Sequence, residues 1–134
     1  MFPKDFVMNI KSAITRKVIH NAKPIVPVVE LAQKYKNKLP LAVASGGSRY
    51  NVESSLAAIG LGVDYFDIVL TSQETKIPKP DPEIFLKCST ILGVSPKDCI
   101  VFEDGDFGIE AAKKANMPWI DIRDYIGDEY IIEK

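Results

Sequence analysis

The chain has 134 residues, 46% of them hydrophobic, and is close to neutral, with 17 Lys and Arg against 18 Asp and Glu. That length fits one domain and that apolar content fills one core, which argues against a disordered chain. There is no basic block to hold nucleic acid, no apolar run of membrane-spanning length and no leader pattern in Met1-Phe2-Pro3-Lys4-Asp5, so small molecules are the expected ligands of a cytoplasmic protein. Cys88 and Cys99 stand in apolar surroundings without metal-type spacing and read as buried reduced thiols.

From Lys4 to about His20, Phe6, Ile10, Ile14 and Val18 recur every fourth residue, which predicts an amphipathic helix. Pro24 and Pro27 break it. Val28, Val29, Leu31, Ala32 and Tyr35 resume a helical pattern, with Pro27 in its first turn and Lys34, Lys36 and Lys38 towards its end. The apolar run Leu39 to Ala44 predicts a buried strand that stops at a glycine turn, Ser45-Gly46-Gly47. A helix over Arg49 to Ile59 ends at Gly60, and Asp67 to Thr71 reads as a second strand. The Asp64-Tyr65-Phe66-Asp67 segment before that strand reads as a turn packing an aromatic pair.

After Lys79-Pro80-Asp81-Pro82 a helix is expected with Asp81 as its N-cap, Pro82 at the first position and Gly93 as its terminator. Asp98 to Phe102 reads as a third strand, and Glu103-Asp104-Gly105-Asp106 opens a helix running to about Ala115. Pro118 to Ile122 reads as a fourth strand, with Trp119 in the core. Apolar strands alternating with helices predict an α/β fold: a Rossmann-like parallel sheet with helices on both faces.

In such sheets ligands bind beyond the carboxyl ends of the strands, where three unusual groups of residues lie. Ser45 with Gly46 and Gly47 offers a hydroxyl and backbone N–H groups that suit an anion, although Ser45 or Ser48 as a plain helix cap explains the same residues. Lys79, between Pro78 and Pro80, has a stiff backbone that would fix where its ammonium points, and a solvated loop lysine is the plain alternative. Glu103 and Asp104 are adjacent carboxylates at a strand end, hard oxygen donors of the kind that hold magnesium; acids at a helix start are their structural alternative. His20 has no partner pattern around it and carries no assigned role.

Taken together, Ala44-Ser45-Gly46-Gly47, Lys79-Pro80-Asp81-Pro82-Glu83-Ile84-Phe85 and Val101 to Ala112 resemble the haloacid-dehalogenase-like phosphatases, in the branch of sugar-phosphate phosphatases and β-phosphoglucomutases. The resemblance runs from about Pro24 to Arg123. It implies that Ser45 and Gly46 bind phosphate, that Lys79 balances its charge and positions the nucleophile, and that Glu103 and Asp104 ligate Mg2+. The family also implies a first strand ending in an Asp-x-Asp-x-Thr motif that provides the nucleophile, and the sequence contains no such motif. Residues 1–22 then look like a remnant of a helical cap, and residues 23–134 like an α/β core without its nucleophile strand.

The implied reaction is hydrolysis of a small sugar phosphate through an aspartyl-phosphate, with transfer back to sugar as the mutase variant. The chain is expected to be incomplete and inactive alone, its sheet completed by self-association or by the missing N-terminal segment. A receiver domain places its acidic pair before its Ser or Thr and its lysine, the reverse of the order here, and a dinucleotide-binding domain needs Gly-x-Gly-x-x-Gly, which Ser45 to Tyr50 lacks. The competing reading is a non-catalytic module that binds phosphate and metal without turnover.

Overall fold

The computed structural model describes residues 26–125. The helix expected over Lys4 to His20 and the cap remnant at residues 1–22 lie outside the described residues. Helix α1 (Val26–Tyr35) buries Val28 and Ala32, one turn apart, and Lys34 stands in its last turn. The chain then enters β1 (Ala42–Ala44), which pairs in parallel with β2 (Ile68–Leu70) in the register Ala42 to Ile68, Val43 to Val69 and Ala44 to Leu70. Asp67 anchors the start of this pair: its carboxylate accepts from the Leu41 N–H at 2.7 Å and its own N–H donates to the Leu41 carbonyl at 2.8 Å.

Helix α2 (Arg49–Ala58) connects the two strands and is capped by Ser48, whose hydroxyl accepts from the Asn51 N–H. Beyond its end, Gly60 takes the left-handed conformation that glycine tolerates, φ +83°. A 3-10 turn at Val63–Tyr65 sets the Tyr65 and Phe66 rings edge to face, 5.4 Å apart, as the aromatic spacing suggested. Helix α3 (Glu83–Leu92) starts one residue later than expected. Pro82 occupies the cap position and has no side-chain acceptor, while Asp81 reaches past it to accept from the Glu83 N–H at 2.9 Å. The helix ends at left-handed Gly93.

Strand β3 (Val101–Glu103) pairs in parallel with β4 (Trp119–Asp121), and α4 (Asp106–Lys114) connects them. Asp98 belongs to a 3-10 turn, Pro96–Asp98, because the ladder begins only where Val101 donates to the Pro118 carbonyl. Trp119, expected in the core, is 39% exposed with the Lys113 ammonium 5.0 Å from its ring centre. Among the described residues the strands form two parallel pairs, β1–β2 and β3–β4, with no ladder joining them.

Side-chain alternation unites the pairs. Leu41 and Val43 of the first pair share a core with Ile100 and Phe102 of the second, beneath Val28, Ala32, Val52 and Leu56 of α1 and α2. Ala42, Ala44 and Leu70 share the opposite core with Val101, beneath Ile84, Phe85 and Cys88 of α3 and Ala111 and Ala112 of α4. The period of two along a strand therefore builds three layers, helices over both faces of parallel strands. Both cysteines are free and buried; burial pushes the Cys88 thiol up to about 12 and the Cys99 thiol up to about 11. No helix among the described residues is long and apolar enough to cross a membrane.

Leu56 is fully buried and Ile91, on α3, is 54% exposed. Leu56→Ala is expected to lower the unfolding free energy by about 2–5 kcal/mol, and Ile91→Ala to change it by no more than about 0.5 kcal/mol, both read from urea denaturation.

Candidate active site

β1 and β3 run parallel to their partners and end at Ala44 and Glu103, so Ser45 follows one end while Glu103 closes the other with Asp104 behind it. Ser45 is 3% exposed and held by its own N–H, which extends the ladder to the Leu70 carbonyl at 3.0 Å. Its hydroxyl accepts from the Gly47 N–H at 3.1 Å. The capping of α2 falls to Ser48, so Ser45 is not consumed as the helix cap. Neither Gly46 nor Gly47 has a positive φ, so the turn does not require glycine for its backbone angles. Gly46 is exposed, and a Cβ there would meet nothing within 4 Å, which leaves open space beside the turn.

Lys79 arrives from the loop after β2, where its peptide to Pro80 is cis. Its side chain is 13% exposed. The ammonium donates to Glu103 Oε2 at 3.0 Å and to the Ala44 carbonyl at 3.1 Å, and lies 5.1 Å from the centre of the Phe85 ring. This one side chain thus touches the ends of both strand pairs. Of the three donors of an ammonium, these two acceptors occupy two.

Glu103 is 3% exposed at its side chain, and its second oxygen, Oε1, accepts from the Asp104 N–H at 3.1 Å. Both carboxylate oxygens are therefore engaged within the protein. Asp104 is half-buried and adjacent, on the loop into α4. The structure brings Lys79, Glu103 and the Ala44–Ser45 end of β1 together, with Asp104 next in sequence to Glu103. Among the described residues there is no group of three or more His, Cys, Asp or Glu side chains that could hold a metal. Glu103 and Asp104 are hard oxygen donors, but a magnesium there would need further oxygens from water, phosphate or a carboxylate outside the described residues.

Two features of the site escaped the reading of the sequence. Gly108, inside α4, makes room for the Glu103 side chain: a Cβ at position 108 would lie 2.1 Å from Glu103 Cδ. A glycine in a helix interior costs about 1 kcal/mol relative to alanine, so its presence in the expected helix was a usable signal. The other is Arg123, which grips Asp121 through two bonds of 2.9 Å and reaches exposed Asp106 at 2.8 Å. The hydrogen bond to Arg123 holds the Asp121 carboxyl below its ordinary range, against the effect of burial. Asp121 and Arg123 share one turn, which Asp121 caps by accepting from the Arg123 N–H at 3.0 Å, whereas Asp106 lies at the start of α4, and no local pattern links it to them.

A family model for haloacid dehalogenase-like hydrolases matches residues 7–116. The chain belongs to that family. It is 38% identical over 111 residues to fructose-1-phosphate phosphatase YqaB of Escherichia coli (strain K12), covering 83% of this chain and 58% of that protein. Among solved structures it is similar to the β-phosphoglucomutase of Clostridium difficile, with 33% identity and a TM-score of 0.63 over 70% of this chain and 41% of that one. It is also similar to CbbY from Rhodobacter sphaeroides in complex with phosphate, with 28% identity and a TM-score of 0.66 over 82% of this chain and 48% of that one. The chain thus spans somewhat over half the length of the curated phosphatase it matches.

Lys79→Met takes the ammonium from a buried carboxylate and is expected to cost about 3–5 kcal/mol in urea denaturation, most of it recovered by adding Glu103→Gln. Gly108→Ala is expected to destabilise by about 1–3 kcal/mol, because Glu103 must leave Lys79 to clear the new methyl group. On a Glu103→Ala background the same substitution should reverse sign and stabilise the helix by up to about 1 kcal/mol. Below its ordinary titration range Asp121 gains a proton and loses its stabilising bonds, so the stability it contributes is full above about pH 4 and is lost as the pH falls further. Arg123→Met should flatten that part of the pH profile.

Proposed function

We propose that the chain serves a magnesium-dependent phosphomonoester hydrolase acting on a small sugar phosphate, and that it carries the groups that bind the phosphate and balance its charge. The observation behind this reading is the buried Lys79–Glu103 pair, hydrogen-bonded to the end of β1 beside Ser45. An ammonium fixed on two sides keeps its third N–H aimed in one direction, and the Ser45 hydroxyl with the Gly46 N–H offers neutral donors beside it. Phosphate oxygens suit that combination.

In the reaction the ester P–O bond breaks as a bond forms from phosphorus to a carboxylate oxygen, and water then cleaves the aspartyl-phosphate. No Asp-x-Asp-x-Thr motif occurs in the sequence, so the attacking carboxylate comes from outside these 134 residues. A strand bearing it would come from a preceding segment or a second copy. Asp104, with Glu103 behind it, would help hold the metal, which when bound supplies positive charge to the transferring group. Cytoplasmic location fits the two free buried thiols. Likeness to β-phosphoglucomutase also admits return of the phosphoryl group to a sugar. A second reading is a module that binds phosphate without turnover, supported by the missing motif and by the engagement of both Glu103 oxygens.

Inorganic phosphate titrated into the 15N-labelled chain is expected to shift the Ser45, Gly46 and Gly47 amides, and magnesium to bind weakly unless phosphate is present. The chain alone is expected to hydrolyse fructose 1-phosphate and p-nitrophenyl phosphate negligibly. Unmoved amides overturn the phosphate site; turnover at ordinary enzymatic rates, abolished by a substitution within the chain, shows that the nucleophile lies inside it.

A further inference from the structure

Ser45 and Lys79 sit on different loops, one after β1 and one after β2, so gripping one phosphate requires the loops to hold a fixed spacing. We infer that Arg49 and Glu74 are positioning residues that latch the loop carrying Lys79 onto the turn carrying Ser45. The inference rests on the phosphate reading above.

The anchor is Thr71, fully buried at the end of β2. Its N–H and its hydroxyl each donate to Glu74 Oε1 at 2.7 Å, and the same oxygen accepts from Arg49 Nη2 at 2.9 Å. Arg49 Nη2 also donates to the Val69 carbonyl at 2.9 Å, and Nη1 reaches Glu53 at 3.0 Å. Backbone groups complete the join: the Arg49 N–H donates to Gln73 Oε1 at 2.8 Å, and the Ser72 N–H to the Gly47 carbonyl at 3.0 Å. The turn at 47–49 and the loop at 69–74 therefore meet through four separate bonds.

The far side of the loop is fixed as well. Glu83 at the start of α3 accepts from the Lys76 and Ile77 N–H groups at 2.9 and 3.0 Å, and Lys87 donates to the Glu74 carbonyl. Lys79 follows these clamps by two residues. With Glu74 held from one side and Ile77 from the other, little slack is left in how Lys79 leaves the loop.

The latch is partly open to water: the Arg49 and Glu74 side chains are 36% and 29% exposed. A lone pair at such exposure contributes little to stability. What distinguishes this one is convergence, three donors on one carboxylate oxygen. Burial works against the Glu74 charge, and the Thr71 and Arg49 bonds outweigh it, so its carboxyl sits below the ordinary range. Hydrogen bonds to Glu74 and Glu53 raise the Arg49 guanidinium further. Both groups stay charged across the neutral range, so the latch does not titrate away there.

The test uses the full 15N-labelled chain with Arg49→Met, Glu74→Ala and Glu74→Gln. Glutamine keeps a carbonyl oxygen for the Thr71 and Arg49 donors, so it is the conservative rescue. Amide exchange at Ser72 and Arg49 is expected to rise about tenfold or more in the Met and Ala variants, with Val43 and Val101 protected as before. Inorganic phosphate, followed at the Ser45 to Gly47 amides, should bind about five- to tenfold more weakly in those two variants and within about twofold of the unsubstituted chain in Glu74→Gln. Unchanged exchange at Ser72 and Arg49 overturns the latch. Faster exchange with unchanged phosphate affinity overturns the positioning role and leaves a structural contact. No phosphate shift in the unsubstituted chain overturns the phosphate reading, and with it the positioning role, while exchange still decides whether the loops are latched.

Discussion

The ion pair between Lys79 and Glu103 is the contact on which the site depends. Both side chains are largely withdrawn from water, Lys79 at 13% and Glu103 at 3% exposure, so each charge has given up hydration that only the partner and nearby dipoles can replace. A 3.0 Å contact, the Ala44 carbonyl on one side and the Asp104 N–H on the other supply that replacement. Removing either charge takes from the other an opposite charge 3.0 Å away. The pair thereby joins the ends of two strands that, among the described residues, share no ladder, using a side chain delivered by a third segment.

Much of the surrounding structure serves to make that pair possible. Gly108 clears the volume that the Glu103 side chain fills, and Phe85 places an aromatic face near the Lys79 ammonium. The α3 cap, with Asp81 on the Glu83 N–H and Glu83 on the Lys76 and Ile77 N–H groups, turns the residues around Lys79 into a braced loop. Hydrophobic layers on both faces hold the two strand pairs at a common level, which is why β1 and β3 end at the same edge. An anion entering that edge meets donors already oriented, the arrangement that favours charge stabilisation without reorganisation.

Membership of the haloacid dehalogenase-like hydrolases fits this architecture. Both Glu103 oxygens are engaged inside the protein, one on the Lys79 ammonium and one on the Asp104 N–H. A shallow cleft of about 520 Å³ at the start of α3, lined by Ile77, Asp81, Leu86 and Lys87, contains none of Ser45, Lys79 or Glu103. The polar convergence lies at the strand ends and not in that cleft.

The sequence by itself determined the order and type of the elements between residues 26 and 125, because apolar runs of strand length alternate with helical spacing and are punctuated by Gly60, Gly93 and the prolines. It also marked Ser45, Glu103 and Asp104, since the ends of buried strands in a parallel sheet fall at one edge, and Lys79, since Pro78 and Pro80 stiffen its backbone. It misplaced Trp119, because a short apolar run does not tell which of its side chains face outward, and put Asp98 into a strand for want of any local mark of where the ladder begins. Which charges touch was decided only by tertiary structure. Lys79 and Glu103 are 24 residues apart, Arg49 and Glu74 are 25 apart, and Arg123 meets Asp106 across 17. No local periodicity encodes such distances; they follow from how the helices pack on the two faces and where each loop is consequently set down.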